Sequence, residues 1–181
     1  MINALITSKT RIKLLLKFFL NPDNAAYLRG LETEFGESSN AIRLELNRLE
    51  KANMLESKVE GNRKLYKVNQ EHPLYNEINS IVRKYFGLDV IVDSIAKRLG
   101  NLKAVYLTGE IARGSDFSVL DLIFVGDIDK KYLFGLIEKA EALIKRKIRY
   151  LVYTEGEFRN ILDKQQKNGY NGYVLIWNSG I

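Results

Sequence analysis

A chain of 181 residues that is 46% hydrophobic and 28% charged has room for one large domain or two small ones and is expected to fold. The absence of cysteine and the presence of a single histidine, His72, exclude disulfides and zinc–thiolate sites and leave carboxylates as the plentiful metal ligands. A formal net charge of +6 and a pI near 9.4 favour a polyanionic partner. The longest apolar run, Leu14 to Leu20, is interrupted by Lys17 and falls short of the roughly 20 residues a membrane span needs. The opening MINALITSKTR has no basic-then-apolar leader pattern, so a cytoplasmic location away from membranes is expected.

From Ser8 to Leu20, Ile12, Leu15, Leu16 and Phe19 recur at helical spacing, and Asn21-Pro22-Asp23 stops the helix. Ala26 to Phe35 carries Leu28, Leu31 and Phe35 at the same spacing and ends at Gly36, predicting a short second helix. Ser38 or Ser39 caps a third helix running to about Lys51, with Ile42, Leu46 and Leu49 turned inward. Its outer face holds Ser39, Asn40, Arg43, Leu44, Asn47 and Arg48, groups that bond to base edges and phosphates, while Glu37 and Glu45 place negative charge close by. Leu55 to Val59 and Lys64 to Val68 then read as two strands around Glu60-Gly61-Asn62-Arg63, a hairpin with a basic tip.

This order, with the strings YLRGLETEFG, SSNAIRLELNRLEKANML and ESKVEGNRKLYKVN, resembles winged helix-turn-helix regulators of the ArsR/MarR type over roughly residues 8 to 69. The resemblance implies that the third helix enters the major groove of duplex DNA and that the hairpin is the wing. Carried over by position, it assigns Ser39, Asn40, Arg43, Leu44 and Asn47 to the groove, and Arg48, Asn62, Arg63 and Lys64 to the phosphates.

A connector follows. Pro73 suits a helix start, and Leu74, Ile78, Ile81, Val82 and Tyr85 repeat at helical spacing up to Gly87; a second pattern runs from Val90 to Leu99. His72, just before Pro73, suits a cap or surface role. An apolar face of this kind pairs with a second copy across a two-fold axis or packs on the domain that follows; a homodimer is the expectation adopted.

After Gly100 the pattern alternates: strand Lys103 to Thr108, strand Leu120 to Val125, helix Lys130 to Arg146, strand Ile148 to Tyr153, helix Gly156 to Gln166, strand Tyr173 to Trp177. Asp129 is placed to cap the helix that follows it. The order of elements, with Gly109-Glu110-Ile111-Ala112-Arg113-Gly114 followed by Asp121-Leu122, resembles the minimal nucleotidyltransferase fold of the polymerase-beta-like superfamily. That resemblance implies a Gly-Ser turn for triphosphate and paired acids at i and i+2 of a strand, which share divalent ions. Here Glu110 takes the serine position, Val119 takes the first acid, and 147–152 carry no carboxylate, so Asp121 alone is kept. Gly109, Glu110, Arg113 and Asp121 are then remnants of a nucleotide site, and Arg113, Lys147 and Arg149 are candidates for an anion pocket.

The expected fold class is α+β, with a winged helix-turn-helix at 1–70, connector helices at 71–100 and a small mixed α/β sheet domain of nucleotidyltransferase-like fold at 101–181. The expected function is a homodimeric transcriptional regulator binding double-stranded DNA, with no catalytic residue, metal or cofactor. Two alternatives stand beside it: an active metal-dependent nucleotidyltransferase using Asp121 and Asp116, and a regulator whose C-terminal domain senses a nucleotide or other anionic ligand.

Overall fold

The computed structural model describes residues 6–109, 119–167 and 172–180. It is a mixed α and β chain that divides into two compact units, Met1–Tyr85 and Phe86–Ile181. The division falls inside the connector, so its two helices belong largely to different units.

In the first unit, helix α1 (Lys9–Leu20) begins at Ser8, whose hydroxyl accepts from Arg11 N. It buries Leu14, Leu16, Phe18 and Phe19 completely. Strand β1 (Ala25–Tyr27) follows and leads straight into helix α2 (Leu28–Phe35). A single helix from Ala26 was expected; instead the first residues are extended and pair with the last strand of the unit. Alanine at 25 and 26 favours a helix, but intrinsic propensity is a weak preference and the non-local ladder overrides it. Gly36 closes α2 in the left-handed region with φ of 62°, where an L side chain is strained.

Helix α3 (Ser39–Lys51) starts at the Ser38 cap, whose Oγ accepts from Ala41 N at 3.3 Å. It presents Ile42, Leu46 and Leu49 to the core with Leu31 and Leu55. Strands β2 (Leu55–Glu60) and β3 (Arg63–Val68) form an antiparallel hairpin, and β1 adds to β3, giving the order β1-β3-β2. The loop is only Gly61-Asn62, and Gly61 takes φ of 60°, as a two-residue hairpin with glycine first requires. Helix α4 (Tyr75–Phe86) ends the unit, tied to α1 where Asn79 Nδ2 donates to Phe19 O and Tyr75 stacks on Phe19.

The second unit opens with helix α5 (Leu88–Ser94) and a 3₁₀ turn at Ala96–Arg98, shorter than the single helix expected to Leu99. Strands β4 (Leu102–Thr108) and β5 (Val119–Gly126) are antiparallel. Helix α6 (Lys130–Ile144) is capped by Asp129, whose carboxylate accepts from Lys131 N and Tyr132 N. It carries the chain across to β6 (Lys147–Tyr153), parallel to β5, as such a crossover must. Helix α7 (Glu155–Lys167) and strand β7 (Val174–Asn178) complete a sheet of order β6-β5-β4-β7. On one face Ile123 and Val125 of β5 pack with Phe158 of α7. The alternate residues Leu120, Leu122 and Phe124 are buried on the other face, which explains why β5 is apolar almost throughout. No helix among the described residues is long and apolar enough to cross a membrane.

Candidate functional site

The inward stripe of α3 fixes what it shows outward. Asn40, Arg43, Leu44, Asn47 and Arg48 are exposed and Ser39 is half-buried. Leu44 is 52% exposed, a large apolar group facing outward with no core to fill. Asn62, Arg63 and Lys64 are all exposed on the hairpin.

Neither acid near this face, Glu37 or Glu45, stands free upon it. Glu45 is buried, accepting from Arg11 Nε at 2.8 Å and Arg48 Nη1 at 3.0 Å. Burial pushes its carboxyl up, but the hydrogen bonds from Arg11 and Ser8 and the charges of Arg11 and Arg48 more than reverse that, leaving it below the ordinary glutamate value. Glu37 is handled alike: burial raises it, while Lys13 and Thr10, which bond to it, and the charges of Lys13 and Lys9 bring it lower. Both acids are counter-charges for α1. The spacing of Glu45 from Ile42 and Leu49, i+3 and i−4, already puts it on the buried stripe.

Some of the expected phosphate contacts are also engaged internally. Arg48 shares Glu45, and Lys64 Nζ donates to both oxygens of Glu50 at 2.8 and 2.9 Å. The bond from Lys64 holds Glu50 below its usual range, helped by Ser57, and Glu50 in turn raises Lys64.

What remains converges on a cleft of about 640 Å³ between the start of α2, the outer face of α3 and the hairpin. Arg43 and Asn47 come to it from α3, and Asn62, Arg63 and Lys64 from the hairpin; Leu28, Leu46 and Tyr66 give it an apolar floor. Ser39, Asn40, Leu44 and Arg48 lie outside this lining. Besides that floor, Tyr27 and Arg29 line the cleft without having been expected from the sequence. Arg29, exposed at the first turn of α2, brings a third guanidinium. Tyr27 lies beneath Arg63, whose guanidinium sits 4.5 Å from the ring centroid. Among the described residues Arg29, Arg43 and Arg63 form no ion pair, so an anion in the cleft meets three guanidiniums with charge to spend.

In the second unit Gly109 and Asp121 do come together. Gly109 has φ of 71°, and a Cβ there would collide with Asp121 Oδ2. Asp121 faces Thr108 on β4 and Arg149 on β6. Arg149 clasps it from two nitrogens, Nε to Oδ1 at 2.6 Å and Nη2 to Oδ2 at 2.9 Å. A pocket of about 340 Å³ lies over this pair, lined also by Thr108, Tyr150 and Leu151. Lys147, the other β6 cation, is bonded to Glu141 at 2.8 Å rather than turned to this pocket. Glu110, Arg113 and Asp116 lie outside the described residues. Residues 119 and 121 share a face, yet the first is valine and the strand alongside supplies arginine, so these donors do not fit a divalent ion.

No protein-family model and no curated protein matches the chain. Among solved structures, AF1382 from Archaeoglobus fulgidus is similar at 17% identity and a TM-score of 0.38, over 46% of this chain and 96% of its own. A candidate nucleotidyltransferase from Sulfolobus solfataricus is similar at 28% identity and a TM-score of 0.34, over 56% of this chain and 86% of its own.

Proposed function

We propose that this chain is a regulator of transcription that binds duplex DNA through a winged helix-turn-helix in its first unit, and that its second unit is a nucleotidyltransferase-like domain without transferase chemistry. The observation that carries the reading is the cleft, where Arg29, Arg43 and Arg63 surround one concave surface next to an exposed polar helix face. A helix of this kind fits a major groove, and a flanking concave basic surface suits the adjoining sugar-phosphate strand. Arg43, Asn47 and Asn40 then reach base edges, and Leu44 meets a thymine methyl. Two copies are expected on one pseudo-palindromic site. Leu74, just before α4, and Ile81 on it are each about half exposed and supply an apolar surface for pairing, and sedimentation of the purified chain reads that directly.

The acid that would serve catalysis is neutralised by a protein cation, which argues against the transferase alternative. Binding to a randomised duplex pool tests the main reading: affinity that falls steeply with added salt, with one sequence enriched, is the expected result. Failure to bind any duplex at low salt overturns it. Magnesium-dependent transfer of label from a nucleoside triphosphate, lost in Asp121→Asn, would establish the enzyme instead. A nucleotide that raises Tm and shifts DNA affinity together would establish the sensor.

A further inference from the structure

The wing tip is held by a residue outside it. Strand β1 is only three residues long and ends at Tyr27, opposite Leu65 of β3. Arg63 lies two residues before Leu65, on the same face and diagonal to Tyr27, within reach of an aromatic ring. The guanidinium stands 4.5 Å from the Tyr27 ring centroid. The Tyr27 hydroxyl meanwhile donates to Glu60 Oε2 at 2.5 Å, and Glu60 is the residue that pairs with Arg63 across the hairpin. That hydrogen bond is the main reason that Tyr27 is raised above the ordinary tyrosine value. One side chain therefore engages both strands of the hairpin just before its loop. Beyond β1 the hairpin is a two-stranded ribbon, which has little rigidity of its own.

We infer that Tyr27 is a positioning residue for nucleic-acid binding: its ring, steadied by the bond from its hydroxyl to Glu60, holds the Arg63 guanidinium at the wall of the cleft. This rests on the DNA-binding reading above. Arg63 then meets a phosphate with less side-chain freedom left to lose, so the ring adds affinity without touching DNA itself.

The test is a double-mutant cycle read by duplex affinity and its salt slope, on the full chain. Tyr27→Leu is expected to weaken binding about 3- to 5-fold, while Tyr27→Phe, which keeps the ring, stays within about 2-fold. Arg63→Ala is expected to lower the salt slope by about 0.9, and Tyr27→Leu to lower it part of the way. In the Arg63→Ala background Tyr27→Leu is expected to add nothing. A general loosening of the unit would instead weaken both backgrounds equally and leave the slope alone, and that overturns the inference. The free protein gives a second reading if Tyr27→Leu fails to fold: the Arg63 Hε resonance should be shifted upfield by the ring in wild type and in Tyr27→Phe, and its appearance at the ordinary position also overturns the inference. Wild-type protein that binds duplex while Tyr27→Leu is unchanged overturns the role of Tyr27 alone, whereas wild type that binds no duplex removes the DNA reading and this inference with it.

Discussion

Arg149 grips Asp121 through two parallel hydrogen bonds, 2.6 and 2.9 Å long, across the parallel pair β5 and β6. The register puts them directly opposite, so Asp121 meets a cation and not a second carboxylate on the neighbouring strand. Charge at Asp121 is thereby balanced inside the protein, and an incoming metal would have to displace a bidentate partner already in place.

The strength of that pair is measurable. The Arg149 side chain is 72% exposed and Asp121 19%, so solvent screening discounts the attraction heavily. A double-mutant cycle with Arg149→Ala and Asp121→Asn should give a coupling of about 0.5 to 1 kcal/mol in chemical denaturation. Additive losses would mean that the two groups do not work as a unit.

How far the sequence disclosed this arrangement depended on locality. Asp129, and Ser38 as one of two neighbouring candidates, were legible as caps because the cap oxygen and the N–H that donates to it lie within three residues. The hairpin at Gly61-Asn62 was legible for the same reason. Strand β1 was not, since Ala25-Ala26-Tyr27 becomes extended only through pairing with Leu65 to Lys67, some forty residues on. The meeting of Asp121 with Arg149 likewise needed the β5–β6 register, which no local pattern encodes. Tyr27 and Arg29 were missed because they precede α3 and enter the cleft only when the hairpin folds back. Glu45 differed: its burial was readable from the Ile42 and Leu49 spacing, although its two arginine partners were not.

Arg29 and Arg43 line the same cleft but should fail differently. Arg29 lies on the first turn of α2, off the helix proposed to read bases, so Arg29→Ala should weaken every duplex alike and lower the salt slope by about 0.9. Arg43 projects from α3 beside Asn47, and Arg43→Ala should relax sequence preference, costing about 1 to 3 kcal/mol on the preferred site and less on others. Equal loss of sequence preference in both variants would contradict the division of labour.

Gly109 is required twice over, by its φ of 71° and by the approach of Asp121 to its α-carbon. Alanine there must strain the backbone and push the carboxylate away from Arg149. Gly109→Ala should destabilise the second unit by about 1 to 3 kcal/mol. Adding Asp121→Ala, which removes the obstructing atoms, should recover part of that loss, leaving the cost of φ alone. No recovery would show that the carboxylate contact is immaterial.

Acid should loosen α1 in the first unit, because Glu37 and Glu45 hold it through carboxylates kept below their ordinary value. The sign follows from linkage: a group with a lowered folded value contributes fully above the unfolded value, and that contribution is lost as pH falls through the folded one. At neutral pH, Glu45→Gln should cost about 2 to 3 kcal/mol, since Arg11 and Arg48 lose a buried charged acceptor that Gln replaces only in part. Below the ordinary glutamate value the wild type should lose stability toward the variant, so the gap between them narrows with falling pH. Denaturation followed at neutral pH and at about pH 3 to 4 decides it: a gap that stays constant would show that Glu45 stabilises α1 by packing rather than by charge.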